Sequence, residues 1–184
     1  MNRLRIIPLD ETVVFPGMSV TLPVDAGSDD RVLLVPRRQH TYSKVGIVAE
    51  VSERMRLAGR GVAVSLTGLH RAALGSASAD QDGVLRVDYE ARPDNTPPGT
   101  VTRELEREYR AVVDEILELR GDDGRIGAFM RSITNTGALA DTAGYSPDFN
   151  FEQKLQLLET FDVVERLKLA LQLQRDRLAE LQVR

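Results

Sequence analysis

Apolar positions recur at two different periods along this chain, and the change from one to the other divides it. In the first ninety residues they alternate with polar ones. Val20, Leu22 and Val24 share one face, as do Val45, Ile47, Ala49 and Val51, then Val62, Val64 and Leu66, then Leu85, Val87 and Tyr89. This period of two is that of half-buried strands, and Gly59, Gly61 and Asp82-Gly83 supply turn chemistry between the runs. Residues 31–35, Arg-Val-Leu-Leu-Val, are apolar on consecutive positions, which predicts a central strand covered on both faces. So many short strands predict a curled sheet or barrel.

Residues 92–99, Arg-Pro-Asp-Asn-Thr-Pro-Pro-Gly, hold three prolines that fix φ and remove backbone donors, so neither a helix nor a ladder passes through them. The boundary is placed here: a β-domain over 1–92, a Pro-rich linker over 93–99 and a helical subdomain over 100–184. Beyond it Val101, Leu105, Tyr109, Val112, Ile116 and Leu119 fall three or four apart, predicting a long amphipathic helix that Gly121 stops. Ile126, Phe129, Met130 and Ile133 predict a second helix, and a short helical turn lies around Leu139 and Ala140. Asn150 with Gln153, and Asp162 with Glu165, have the spacing of capping boxes at the starts of two more.

The last helix carries an apolar seam of Val164, Leu167, Leu171, Leu178 and Leu181, with Gln174 in the same seam. The seam thins after residue 174, where Arg175, Asp176, Arg177 and Glu180 surround it. It predicts a helix that leaves the globule and projects, with a frayed terminal helix as the alternative. The fold class is thus α+β, a curled β-domain followed by an α-helical bundle with a long C-terminal helix.

Charge and composition exclude several functions. The 184 residues carry 24 Lys plus Arg against 28 Asp plus Glu, a net charge of −4 that argues against a dedicated nucleic-acid binder. Residues 1–100 hold 12 basic and 12 acidic groups and residues 101–184 hold 12 and 16, so the acidic excess belongs to the helical part. There is no cysteine, which removes disulfides, thiolate metal sites and Cys nucleophiles and suits a reducing compartment. No apolar run reaches the roughly 20 residues of a membrane span, and the opening MNRLRIIPLDE does not read as a signal peptide. A cytoplasmic setting is expected.

No catalytic or metal constellation emerges. A phosphate-cradling Walker loop needs a Gly-Lys pair, and none exists in the sequence. His40 and His70 stand thirty residues apart, without metal-ligand spacing. Ser65 and Ser132 lie in no Gly-x-Ser-x-Gly elbow, and Lys44, Lys154 and Lys168 sit in settings that do not desolvate them. Asp29-Asp30 and Asp122-Asp123 read as solvated turns or helix starts. The chain is expected to be no enzyme in isolation, and to carry no cofactor of its own.

The order of its motifs resembles the N-terminal domain of the Lon family of ATP-dependent proteases. Ile7-Pro8-Leu9, then Val13-Val14-Phe15-Pro16-Gly17-Met18, look like that family's opening strand and Phe-Pro-Gly turn. Leu22-Pro23-Val24, Leu33-Leu34-Val35 and residues 45–51 look like its next strands, and Gly68-Leu69-His70-Arg71 like its Gly-x-x-Arg element. Leu139-Ala140-Asp141, residues 152–159 and Thr160 to Leu167 resemble its helical segments. Two features depart from the pattern: only six residues separate Val24 from Arg31, where relatives commonly carry a helix, and Glu152-Gln153-Lys154 permutes the usual charges. Physically, Pro16-Gly17 turns the chain, Gly68 allows a bend or bulge where one strand hands over to the next, and Arg166 stands at i,i+4 from Asp162 for a local pair.

The resemblance implies a PUA-like pseudo-barrel joined to a helical bundle. It also implies a substrate-recognition and assembly domain for unfolded or degron-bearing polypeptides within a homo-oligomeric, hexameric protease. ATP and Mg would serve the motor, and a Ser-Lys pair the peptidase, both downstream of this region. Candidate substrate contacts are Phe15 and Met18 at the Pro-Gly turn, and Met55 and Leu57 in an expected inter-strand loop; the alternative is that they cap the barrel core. Leu171, Leu178 and Leu181 are candidate assembly residues, if the last helix pairs with its copy. The rival readings are a purely structural oligomerisation module and a stand-alone peptide-binding protein. RNA binding by analogy with other PUA-like barrels is disfavoured by the neutral β-half. No membrane partner is expected.

Overall fold

A computed structural model describes residues 2–59, 61–95 and 99–183. The chain divides into two compact units, 1–93 and 94–184. In the first, β1 (Arg3–Asp10), β2 (Ser19–Leu22), β3 (Arg31–Arg38), β4 (Thr41–Tyr42), β5 (Val45–Arg56), β6 (Val62–Ala79) and β7 (Leu85–Arg92) form one sheet. It runs β1-β7-β6-β5-β3, and a parallel pairing of Ile6–Asp10 with Leu33–Arg37 joins β1 back to β3. The ring is closed, so these five strands lose their free edges where they pair. β4 adds to β3, and β2 adds to β6.

Val32, Leu33, Leu34 and Val35 of β3 are all fully buried, as their consecutive apolar run predicts. Leu33, Val35, Val48, Ala72 and Val87 form a core cluster, with Ile6, Leu69 and Tyr89 packed against it. Two details differ from the expectation, and a third follows it. Val24 lies beyond the end of β2. Gly68 joins no two strands but lies inside the 18-residue β6, where the register slips between Val48 and Ala49 and leaves Leu69 as the extra residue. A Cβ on Gly68 would stand 2.8 Å from the Phe15 carbonyl oxygen, and Gly68 exchanges backbone hydrogen bonds with Gly17 and Met18. Its role is therefore close approach of the 15–18 turn. Residues 23–30 form no helix, and Arg5 to Asp29 and Arg54 to the Gly27 carbonyl tie this short connection down.

In the second unit, α1 (Thr100–Arg120), α2 (Arg125–Ser132), α3 (Thr136–Asp141), α4 (Phe151–Leu158) and α5 (Val163–Gln182) are joined by short turns, with a 3-10 turn over Thr142–Tyr145. Gly121 ends α1 in the left-handed conformation at φ 70°, where glycine is least strained. Asn150 and Gln153 form the reciprocal capping box of α4, and Asp162 accepts from the Glu165 N–H at the start of α5. The buried stripe of α1 is Thr102, Tyr109, Val113 and Ile116; Val101 and Leu119, expected inward, are exposed.

α5 packs against α1 and α3. Leu167, Ala170, Leu171, Gln174 and Leu178 are buried, so the helix is held through Leu178 and does not project from residue 174. Gln174, which weakens the seam as a self-pairing surface, is satisfied inside by a bond to Tyr109. Arg166 does not pair with Asp162. It is fully enclosed and forks onto Asp94, with Nη2 2.8 Å from Oδ1 and Nη1 3.0 Å from Oδ2. Its Nε donates to the Thr160 carbonyl, and Asp141 stands 3.6 Å away. Asp94, placed by sequence in the linker, thus belongs to the helical unit and reaches from its surface to the enclosed Arg166; linker residues 96–98 lie outside the described residues.

Candidate functional site

The first candidate site is at the far end of the β5–β6 hairpin. β5 runs on to Arg56, so Met55 belongs to a strand, opposite Ala63, rather than to the expected loop; Leu57 follows it. Met55 is half-buried and Leu57 is 45% exposed. Met55 lines a cleft of about 240 Å³ with Val24, Ala26, Gly27, Val62 and Val64, between the hairpin and the short 23–30 connection. Arg54 and Arg56 stand at its rim beside Asp25. The cleft presents apolar side chains beside a strand end, a surface of the kind that can receive an extended apolar segment.

Phe15 and Met18 are placed differently. Phe15 is wholly buried, its ring 5.8 Å from the guanidinium carbon of the buried Arg71, and it offers no surface to a ligand. Its N–H points to the Met18 sulfur at 3.3 Å, and Met18 is half-buried over the turn. The structure therefore separates Phe15, a core residue, from the cleft at Met55. Leu171 and Leu178 are likewise turned into their own unit, and Leu181 is half-buried. Among the described residues no group of three His, Asp or Glu side chains could hold a metal ion. No described helix is long and apolar enough to cross a membrane.

The second site lies in the helical unit, and sequence reasoning missed it. A pocket of about 270 Å³ opens between α1, α2 and the 142–148 segment. Val113, Ile116, Met130 and Pro147 form its walls, and Ile126, Phe129 and Tyr145 its exposed lip, at 51%, 44% and 38%. The Phe129 and Tyr145 rings stand 6.1 Å apart and tilted, an ordinary aromatic pairing distance. Tyr109, Thr142 and Gln174 supply the polar part of the lining. At one side Asp148 takes a 2.6 Å bond from Arg120 and faces Arg177 at 3.4 Å. Burial pushes the Asp148 carboxyl up, but the Arg120 bond and the two positive charges outweigh it and hold it below the usual range. Burial pushes the Tyr109 and Tyr145 hydroxyls up, so both stay neutral. The available signal was Gln174, a polar residue in an apolar seam.

Comparison with known proteins follows the same two units. The profile of the ATP-dependent protease La (LON) substrate-binding domain matches residues 3–175. This chain belongs to that family. A Lon protease of Chloroflexus aurantiacus is 37% identical over 203 residues, covering all of this chain and 24% of the relative. One from Salinispora arenicola is 36% identical over 194 residues, again covering all of this chain and 25% of the relative. The LON chain thus spans about a quarter of the length of these relatives. The N-terminal domain of Mycobacterium avium complex Lon protease superposes with a TM-score of 0.82 at 28% identity, covering 95% of this chain and 99% of that one. A Lon N-terminal domain protein from Xanthomonas campestris, at 15% identity and TM-score 0.63, shares the fold.

Proposed function

We propose that this LON domain recognises substrate for a Lon-type ATP-dependent protease, capturing unfolded or degron-bearing chain for a motor and a Ser-Lys peptidase carried elsewhere in the full protein. Its own residues bind and do not cut; ATP and Mg belong to the motor. The setting is the bacterial cytoplasm, and the partners are misfolded proteins and further copies of the same full-length chain. The family match over both units supports this reading, and the cleft at Met55, with the exposed Leu57 just after it in the chain, is the observation that carries it. Half-buried and exposed apolar side chains flank a strand end there, and Met adapts to varied partners.

The test is titration of the 184-residue chain with a permanently unfolded protein and with its folded parent. The unfolded form should bind preferentially, and replacing Met55→Ser together with Leu57→Ser should weaken that binding several-fold while leaving the far-UV spectrum unchanged. Equal binding of both forms would count against recognition. The assembly reading loses its main support, because Leu171 and Leu178 are buried within their own unit. Cutting the chain after residue 174 would remove Leu178 and is expected to loosen α5 rather than to dissolve an oligomer.

A further inference from the structure

The helical pocket carries an unused hydrogen-bond acceptor, and the network beneath it fixes which atom that is. Thr142 Oγ1 donates to the Leu139 carbonyl at 2.6 Å, and its single proton is thereby spent. In its 2.8 Å contact with Tyr109 it must therefore accept, so the Tyr109 hydroxyl donates. The Tyr109 oxygen then accepts from Gln174, which makes the bonded atom, at 3.2 Å, the amide nitrogen Nε2. Gln174 is 8% exposed, yet its Oε1 accepts no hydrogen bond among the described residues and is not one of the fully enclosed unpaired atoms. Gln174 itself lines the pocket, so a ligand held there stands beside its side chain.

We propose that this pocket is a binding site for one tyrosine or tryptophan side chain of an extended polypeptide, whose O–H or N–H donates to Gln174 Oε1. About 270 Å³ falls just below the roughly 300–1,000 Å³ of small-molecule sites and suits a single aromatic ring. The apolar walls and the Phe129–Tyr145 lip receive the ring, and exposed Ile126 and Phe129 extend the apolar surface outside the mouth, where neighbouring residues of the chain would run. Phenylalanine or leucine would fill the same space and leave Oε1 unpaired. This deepens the recognition reading and rests on it: the cleft at Met55 receives apolar chain, and the helical pocket chooses.

The experiment titrates the 184-residue chain with four Gly-Ser peptides of equal length bearing one central Trp, Tyr, Phe or Leu, followed by amide NMR shifts. Free indole and a permanently unfolded protein are titrated alongside. Trp and Tyr peptides are expected to move resonances of Tyr109, Gln174 and Tyr145 and to bind about three- to tenfold tighter than Phe, the worth of one neutral hydrogen bond. Gln174→Leu should abolish that preference while retaining Phe binding. Phe129→Ala, at an exposed position that leaves folding alone, should weaken Trp and Phe peptides alike. Equal affinity for Trp and Phe, or shifts confined to other residues, overturns the proposal even if the unfolded protein still binds. Free indole binding as tightly as the Trp peptide overturns its polypeptide occupant. Failure of the unfolded protein and of all peptides to bind removes both this proposal and the recognition reading.

Discussion

Each unit encloses one arginine, and the two lie among different neighbours. In the barrel, Arg71 is 1% exposed and lies against the Phe15 ring. In the helical unit, Arg166 is fully enclosed and saturated by a carboxylate fork and two carbonyls. Guanidinium suits both, because it is weakly hydrated, stacks on aromatic faces and matches a carboxylate bidentately. The difference teaches where each unit is brittle. The barrel has a close backbone approach at Gly68, and the helical unit a buried charge matched by a carboxylate 72 residues away in sequence.

The sharpest way to break the comparison is Asp94→Ala. It leaves Arg166 its two carbonyl bonds but, of the carboxylates described around it, only Asp141, at 3.6 Å, and should cost the helical unit about 3 kcal/mol, the usual scale for breaking a buried ion pair. Hydrogen exchange should accelerate in α5 and not in β6; equal acceleration would mean that the two units do not unfold separately. Gly68→Ala is the mirror experiment. Its Cβ meets the backbone of Phe15, so about 1–3 kcal/mol should be lost from β6 amides, with α5 unchanged.

A smaller effect concerns acid. Asp148 has its carboxyl held below the ordinary range in the folded state, so its contribution is complete above the unfolded value of about 4 and disappears as pH falls through the lower folded value. Arg120 is partly in solvent, which limits the contribution to about 1 kcal/mol. Thermal melts from pH 5 to 2 should show the helical unit losing this increment in the native chain and not in Asp148→Asn. Smallest of all, Met55→Ser with Leu57→Ser should change stability by less than about 1 kcal/mol, since neither side chain is fully buried. A larger loss would make these residues part of the barrel core.

The strands, the helices, two caps and the Gly121 stop were legible because period and capping are local properties. The family resemblance rested on the order of such elements. The partner of Arg166 was not legible: Asp162 is near in sequence, whereas Asp94 is 72 residues away and becomes adjacent only when α5 packs. In α1 Tyr109 and Ile116 face inward as the period predicts, whereas Val113 is buried where Val112 was expected, because adjacent positions both fit a 3.6 period and packing decides between them. Met55 was expected in a loop because Gly59 and Gly61 suggest an earlier turn, yet β5 and β6 stay paired to Arg56 and Val62. The helical pocket was invisible because its lip is made of apolar residues that periodicity assigns to a core.

The closed ring of strands also sets a timetable for synthesis. β1 pairs through Arg3–Arg5 with residues 86–88, so the barrel cannot close until β7 has been synthesised. At roughly 5–20 residues per second, the ring stays open for several seconds after β1 is made. Asp94 then waits through 72 further residues for Arg166, a second interval of the same order. A domain proposed to receive unfolded chain thus passes through a stage at which its own chain is of that kind.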